Sequence, residues 1–156
     1  MLKILVNIAS KFSDMRTVEK TATGRSGKHV HKIPFFDTAI NAGFPSPAQD
    51  YHENEITPEE LLSLTPSVFL IRVNGNSMEE AHMPHGSVVA VDRGKKAHHG
   101  DIVVGLLNKE FTIKRLVKSR AGWVLHPENS AYTPYLVKGD DEFEVWGVVK
   151  AIVIKL

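Results

Sequence analysis

The apolar positions of this chain bunch into short β-branched runs instead of recurring at helical spacing. VFLIRV (68–73), SVVAVD (87–92), DIVVGLL (101–107), EFTIKRLV (110–117), GWVLH (122–126) and FEVWGVVKAIVIKL (143–156) are rich in Val, Ile and aromatic residues. Such residues fit a pleated, half-buried surface. Turn residues separate the runs: Gly86, Arg93-Gly94, Gly100-Asp101, Asn108-Lys109 and Gly139-Asp140. The two-residue link Asn108-Lys109 predicts a tight hairpin. One helix of about two turns is expected in TPEELLSL, where Thr57 is the N-cap, Pro58 the first helical residue and Glu60 the partner in a capping box. The pattern therefore defines a mostly β domain with one short helix.

Ahead of that helix the pattern dissolves. Residues 11–32 have no sustained period and are rich in Ser, Thr, Gly and Lys, which predicts a flexible N-terminal arm. At Ile33 the chain turns apolar (IPFFDTAINAG), and Pro45 and Pro47 then force an extended path. Charge follows the same division. Residues 1–42 hold 7 Lys/Arg against 3 Asp/Glu, a net +4, and the remainder holds 12 against 15, a net −3. The basic charges of the arm are dispersed, as in a solvated tail, so direct DNA binding is not expected.

Composition removes several kinds of chemistry. With no cysteine among 156 residues, disulfides, thiolate catalysis and Cys-based metal sites are excluded. The opening MLKILVNIAS is too short an apolar run for a signal-peptide core, and no window approaches a membrane-spanning length. A cytoplasmic protein without a membrane partner is expected. Eight histidines include His82-x-x-His85 and His98-His99. Pro84 disrupts the helical spacing of the first pair, so turn histidines in solvent are expected, with no metal or other cofactor.

Two polar residues stand where a plain β domain does not require them. Ser77, in RVNGNSMEEA, follows the end of a predicted strand. Ser77-Met78-Glu79-Glu80 is a capping-box pattern, so one reading has Ser77 capping a helical turn. The other has it exposed on a Gly-flanked turn, with the surrounding backbone N–H groups able to stabilise an oxyanion. Lys114 lies in the middle of a predicted strand whose alternation puts Phe111, Ile113 and Arg115 on one face and Thr112, Lys114 and Leu116 on the other. Neither face is cleanly polar. An exposed strand lysine is one reading; a partly covered lysine of lowered pKa, competent as a general base, is the other.

The order of the short motifs bears on both residues. Gly75-x-Ser77-Met78 is followed by a Gly86-led strand ending in Val91-Asp92, then by His99-Gly100-Asp101-Ile102-Val103 and by Phe111-Thr112-x-Lys114. This run resembles the LexA/UmuD family of self-cleaving serine peptidases. LHPENSAYTPY (125–135) and VWGVVKAIV (145–153) are similar to that family's Pro-x-Asn-x-x-Tyr turn and closing strand. Within the family the UmuD branch fits best, because of AGFPSPAQDY (42–51). The resemblance implies a Ser77–Lys114 dyad, an oxyanion site at the Asn76 and Ser77 amides, and a scissile bond between Ala42 and Gly43. It also implies removal of an arm, residues 1–42, from a β-rich core, residues 43–156. The small residues at the bond allow close approach of the backbone, and the prolines beyond it limit the entropy lost on docking. Without the dyad the same stretch reads as a helix stop after residues 34–42.

The resemblance further implies an SOS-response protein stimulated by a RecA filament on single-stranded DNA. Its trimmed homodimer would serve a UmuC-type error-prone DNA polymerase subunit. Three positions depart from the family pattern. Gly86-Ser87 replaces Gly-Asp, Asn76 stands where an Asp is common, and the segment before Phe35 is longer than in the UmuD branch. The alternatives are a LexA-type repressor without its DNA-binding half, a signal-peptidase-like enzyme acting in trans, and a non-catalytic binding module on the same scaffold.

Overall fold

The apolar runs pair into one antiparallel sheet in a computed structural model that describes residues 31–36 and 53–156. A short two-stranded sheet comes first, β1 (Ile33–Phe36) against β2 (Glu53–Ile56), with Ile33 opposite Ile56. Helix α1 (Pro58–Leu61) follows directly. The remaining strands are β3 (Val68–Arg72), β4 (Val88–Asp92), β5 (Ile102–Leu107), β6 (Glu110–Ser119), β7 (Gly122–His126), β8 (Tyr135–Leu136) and β9 (Phe143–Val153). They form a seven-stranded sheet in the order β3-β4-β9-β5-β6-β7-β8.

The expected mostly β fold with one short helix is therefore present, and each of the six predicted strands appears with shifts at its ends. Asn108 and Lys109 both take positive φ, 48° and 70°, as the two-residue hairpin between β5 and β6 requires. Helix α1 has the expected capping box between Thr57 and Glu60 but only one turn instead of two. Ser63, at φ 51°, ends it in the left-handed conformation. The Ser63 and Leu64 amides then donate to the Glu60 and Glu59 carbonyls, closing off the C-terminus. Strands β1, β2 and β8 were not expected. Pro34 is tolerated in β1 because that strand pairs on one side only. The arm up to residue 30 and the Ala42–Gly43 bond lie outside the described residues.

β9 is the axis of the sheet. Its second half pairs with β4 and its first half with β5, and the register slips once against each. These bulges leave Lys150 and Trp146 as the extra residues, which bends the strand and increases its twist. Neighbouring residues along the strands feed two separate cores. Val104 and Val149 join Val73, Met78, Met83, Val89 and Val91. Val103 and Val148 join Leu116 and Leu125. A sheet packed on both faces explains why its central strands read as unbroken apolar runs.

Two further features matter for function. Beside β1 and α1 lies an apolar cleft of about 450 Å³ lined by Ile33, Phe35, Ile56, Leu61, Ile152 and Val153, among others. Among the described residues no helix is long and apolar enough to cross a membrane.

The crossing of β4 and β9 is tight at Gly147. A Cβ there would sit 2.7 Å from Val91 Cγ1 and 2.9 Å from the Asp92 carbonyl oxygen. Since one of these neighbours is backbone, it cannot swing away. Gly147→Ala is expected to destabilise the fold by about 1–3 kcal/mol, measured by urea unfolding.

Candidate active site

Ser77 stands on a loop that leaves β3 and returns to β4. Its neck is closed by Val73 N–H to the Ser87 carbonyl and Gly86 N–H to the Val73 carbonyl, both 2.9 Å. Gly75 takes φ +102°, a left-handed turn that glycine accepts without strain. Its amide donates to His85 Nδ1 at 3.1 Å. Immediately after the serine, Met78 is 1% exposed and Met83 is 0% exposed, both in the larger core. The loop is thus anchored from below by two methionines that flank a single 3₁₀ turn, Glu79–Ala81.

The capping-box reading of Ser77 does not hold. The residue in the N-cap place is Met78, and no side chain caps the turn. Glu80, the expected partner, accepts from the Ser130 amide instead. The Ser77 hydroxyl is left to face β6, where Lys114 Nζ donates to Ser77 Oγ at 2.8 Å. The same ammonium donates to the Ile113 carbonyl at 2.9 Å. Lys114 is half-buried, and loss of hydration on burial lowers its pKa from the usual 10.5. The two candidates, 37 residues apart in sequence, are therefore in direct contact, and the lysine is of the covered kind.

A second loop holds the serine turn from outside. The Glu128 amide donates to the Ser77 carbonyl, and the Glu80 amide donates to the Glu128 carbonyl, at 2.9 and 2.8 Å. Asn129 Nδ2 donates to the Asn76 carbonyl at 2.8 Å, and the Tyr132 hydroxyl donates to Asn76 Oδ1 at 2.5 Å. With its carbonyl and side chain engaged, Asn76 has a fixed peptide plane. Among the described residues no acceptor takes the Asn76 or Ser77 amide. In the sequence, Pro127, Asn129 and Tyr132 are legible only as a family turn, with no work of their own. Their proximity to Ser77 is a tertiary fact, and the one local signal was the Pro-x-Asn-x-x-Tyr spacing itself.

Three of the described histidines have local partners. His85 accepts from Gly75, and His99 Nδ1 accepts from the Lys118 amide at 3.0 Å. His98 lies 3.8 Å from Asp101. Among the described residues no group of three or more His, Asp or Glu is placed to hold a metal ion.

A serine hydroxyl and a desolvated lysine in hydrogen-bond contact at the edge of a β-core have the layout of a serine peptidase that works without histidine. The chain belongs to the Peptidase S24-like family, which matches residues 34–150. It is similar to protein MucA of Salmonella typhimurium, 44% identical over 122 residues that make up 77% of this chain and 83% of MucA. Protein SamA of Salmonella typhimurium strain LT2 is 40% identical over 124 residues, 78% of this chain and 85% of SamA. The LexA repressor of Bordetella avium is 33% identical over 114 residues, 73% of this chain but 54% of the repressor. The family read from the short motifs is thus the family found.

Lys114 leaves a signature in stability. Its pKa is lower folded than unfolded, so between the two values the unfolded chain binds more protons and stability rises with pH. Below the folded value both states are charged and the native state bears the full desolvation cost. Lys114→Met is therefore expected to melt above wild type at pH 7, by an excess that shrinks toward pH 10.5, as read by thermal unfolding across that range.

Proposed function

We propose that this protein is a UmuD-like autoprotease of SOS mutagenesis in which Ser77 and Lys114 cut the Ala42–Gly43 bond. The observation that carries the proposal is the 2.8 Å contact between Lys114 Nζ and Ser77 Oγ, made by a lysine whose ammonium form burial disfavours. Neutral Lys114 takes the proton of the Ser77 hydroxyl, and Oγ forms a bond to the Ala42 carbonyl carbon. The Asn76 and Ser77 amides receive the developing oxyanion. As the intermediate collapses, the C–N bond breaks and the Lys114 ammonium returns the proton to the Gly43 amine. Water then hydrolyses the ester on Ser77, leaving fragments 1–42 and 43–156.

Tethering makes the attack effectively unimolecular, so its rate depends on how often the segment docks. An activator can act by favouring the docked state alone. The family resemblance names that activator as a RecA filament on single-stranded DNA. It also supplies the setting: the 43–156 core, as a homodimer, joins a UmuC-type subunit in error-prone synthesis. Identity favours this reading over a repressor fragment, at 44% to MucA against 33% to the LexA repressor.

Since the base must be neutral, cleavage is expected to accelerate as pH rises through the Lys114 pKa, with a midpoint below 10.5. Intact-mass spectrometry of the purified chain from pH 7 to 10.5 follows both fragments. Ser77→Ala and Lys114→Met are each expected to lower the cut by at least about 10³-fold. Persistent cleavage at Ala42–Gly43 in Ser77→Ala would remove the serine from the mechanism.

A further inference from the structure

We infer that the ion pair between Arg115 and Glu128 sets the distance between the serine turn and the lysine strand, making both of them positioning residues for Ser77 and Lys114. The inference rests on the catalytic reading above. Arg115 follows Lys114 directly on β6, and its Nε donates to Glu128 Oε1 at 2.6 Å. Through its backbone, Glu128 brackets the serine turn. Its amide holds the Ser77 carbonyl, and its carbonyl holds the Glu80 amide. One residue thus reaches the lysine strand with its side chain, and the serine's carbonyl and the turn that follows it with its main chain.

The sheet itself cannot make this connection. The β6–β7 ladder ends where Arg115 lies opposite His126. The next residue is Pro127, which has no N–H with which to extend the ladder. Glu128 is the first residue beyond the ladder with a polar side chain, and its carboxylate ties the loop to β6. Arginine suits the task because its planar fork divides: Nε serves Glu128, while Nη1 donates to the Gly100 carbonyl at 2.7 Å. The Arg115 and Glu128 side chains keep 34% and 24% of their surface exposed, and His126 Nδ1 lies 4.0 Å from the same carboxylate oxygen.

The test is self-cleavage of the full chain at Ala42–Gly43, followed by intact mass from pH 7 to 10.5, with Ser77 labelling by a fluorophosphonate as a second readout. Arg115→Ala and Glu128→Ala are each expected to slow both reactions by about 10- to 100-fold, to the same degree at every pH. The midpoint of the pH profile stays where wild type has it, because position changes and basicity does not. The double variant is expected to be no slower than the slower single one, as for two groups acting through one contact. Glu128→Gln, which keeps the shape, should fall between wild type and Glu128→Ala, and it decides the matter if the alanine variants do not fold. Rates within about twofold of wild type, multiplying effects in the double variant, or a shifted midpoint would each overturn the inference. A wild-type chain that neither cuts itself nor labels at Ser77 defeats the catalytic reading as well. A reactive wild type matched by its Glu128 variants defeats this inference alone.

Discussion

A lysine amine beside a serine hydroxyl is useful only if the protein has made its charge unfavourable. Lys114 meets that condition because it lies within β6 opposite Val103 of β5, between strand neighbours, Ile113 and Leu116, that pack into the cores of opposite faces. The ammonium keeps two oxygen acceptors, Ser77 Oγ and the Ile113 carbonyl, so it is tolerated. It has lost part of the water that would hold its proton tightly, which lowers its pKa. The cost is borne by the fold: a methionine of similar length would sit in the same place without it. A seven-stranded sheet with apolar packing on both faces is the scaffold that supports such a residue.

The serine is held differently. It occupies a loop, so its position depends on anchors outside its own backbone. Met78 and Met83 fix the turn to the core, Gly75 provides the positive φ, and the Glu128–Tyr132 segment secures it from the solvent side. Each anchor acts on a neighbour of Ser77 or on its backbone, which leaves the hydroxyl to the lysine. This separation of support from the hydroxyl is what the proposed chemistry needs, since a loop held on one side only can swing away from its partner.

Much of this arrangement was legible in the chain. β-branched runs divided by glycines marked all the long strands, and the Asn108-Lys109 link announced its hairpin. The short strands were not legible. β2 is the polar sequence Glu-Asn-Glu-Ile, β8 has two residues, and pairing partners rather than composition make them strands. The capping-box signal was present twice with opposite outcomes. At Thr57 a true helical turn follows, so the box forms. At Ser77 the core claims Met78, the turn tightens to 3₁₀, and Glu80 is drawn to Ser130. Local pattern could not distinguish the two, because the deciding force is burial of a neighbouring side chain. The contact between Ser77 and Lys114 was readable only through the order of several motifs, and the work of Glu128 was not readable at all.

The small sheet β1–β2 gives the proposed cut an unusual sequel. β1 lies on the N-terminal side of Ala42–Gly43, yet it is laid along β2 through four residue pairs, from Ile33–Ile56 to Phe36–Glu53. Its Ile33 and Phe35 also line the apolar cleft beside α1. Hydrolysis after residue 42, as proposed, would sever the chain without undoing any of those contacts. It would convert an element held by its own tether into a peptide ligand on a groove, whose occupancy would then answer to concentration. Dilution, or competition from any strand able to lie along β2, would decide when the severed piece departs.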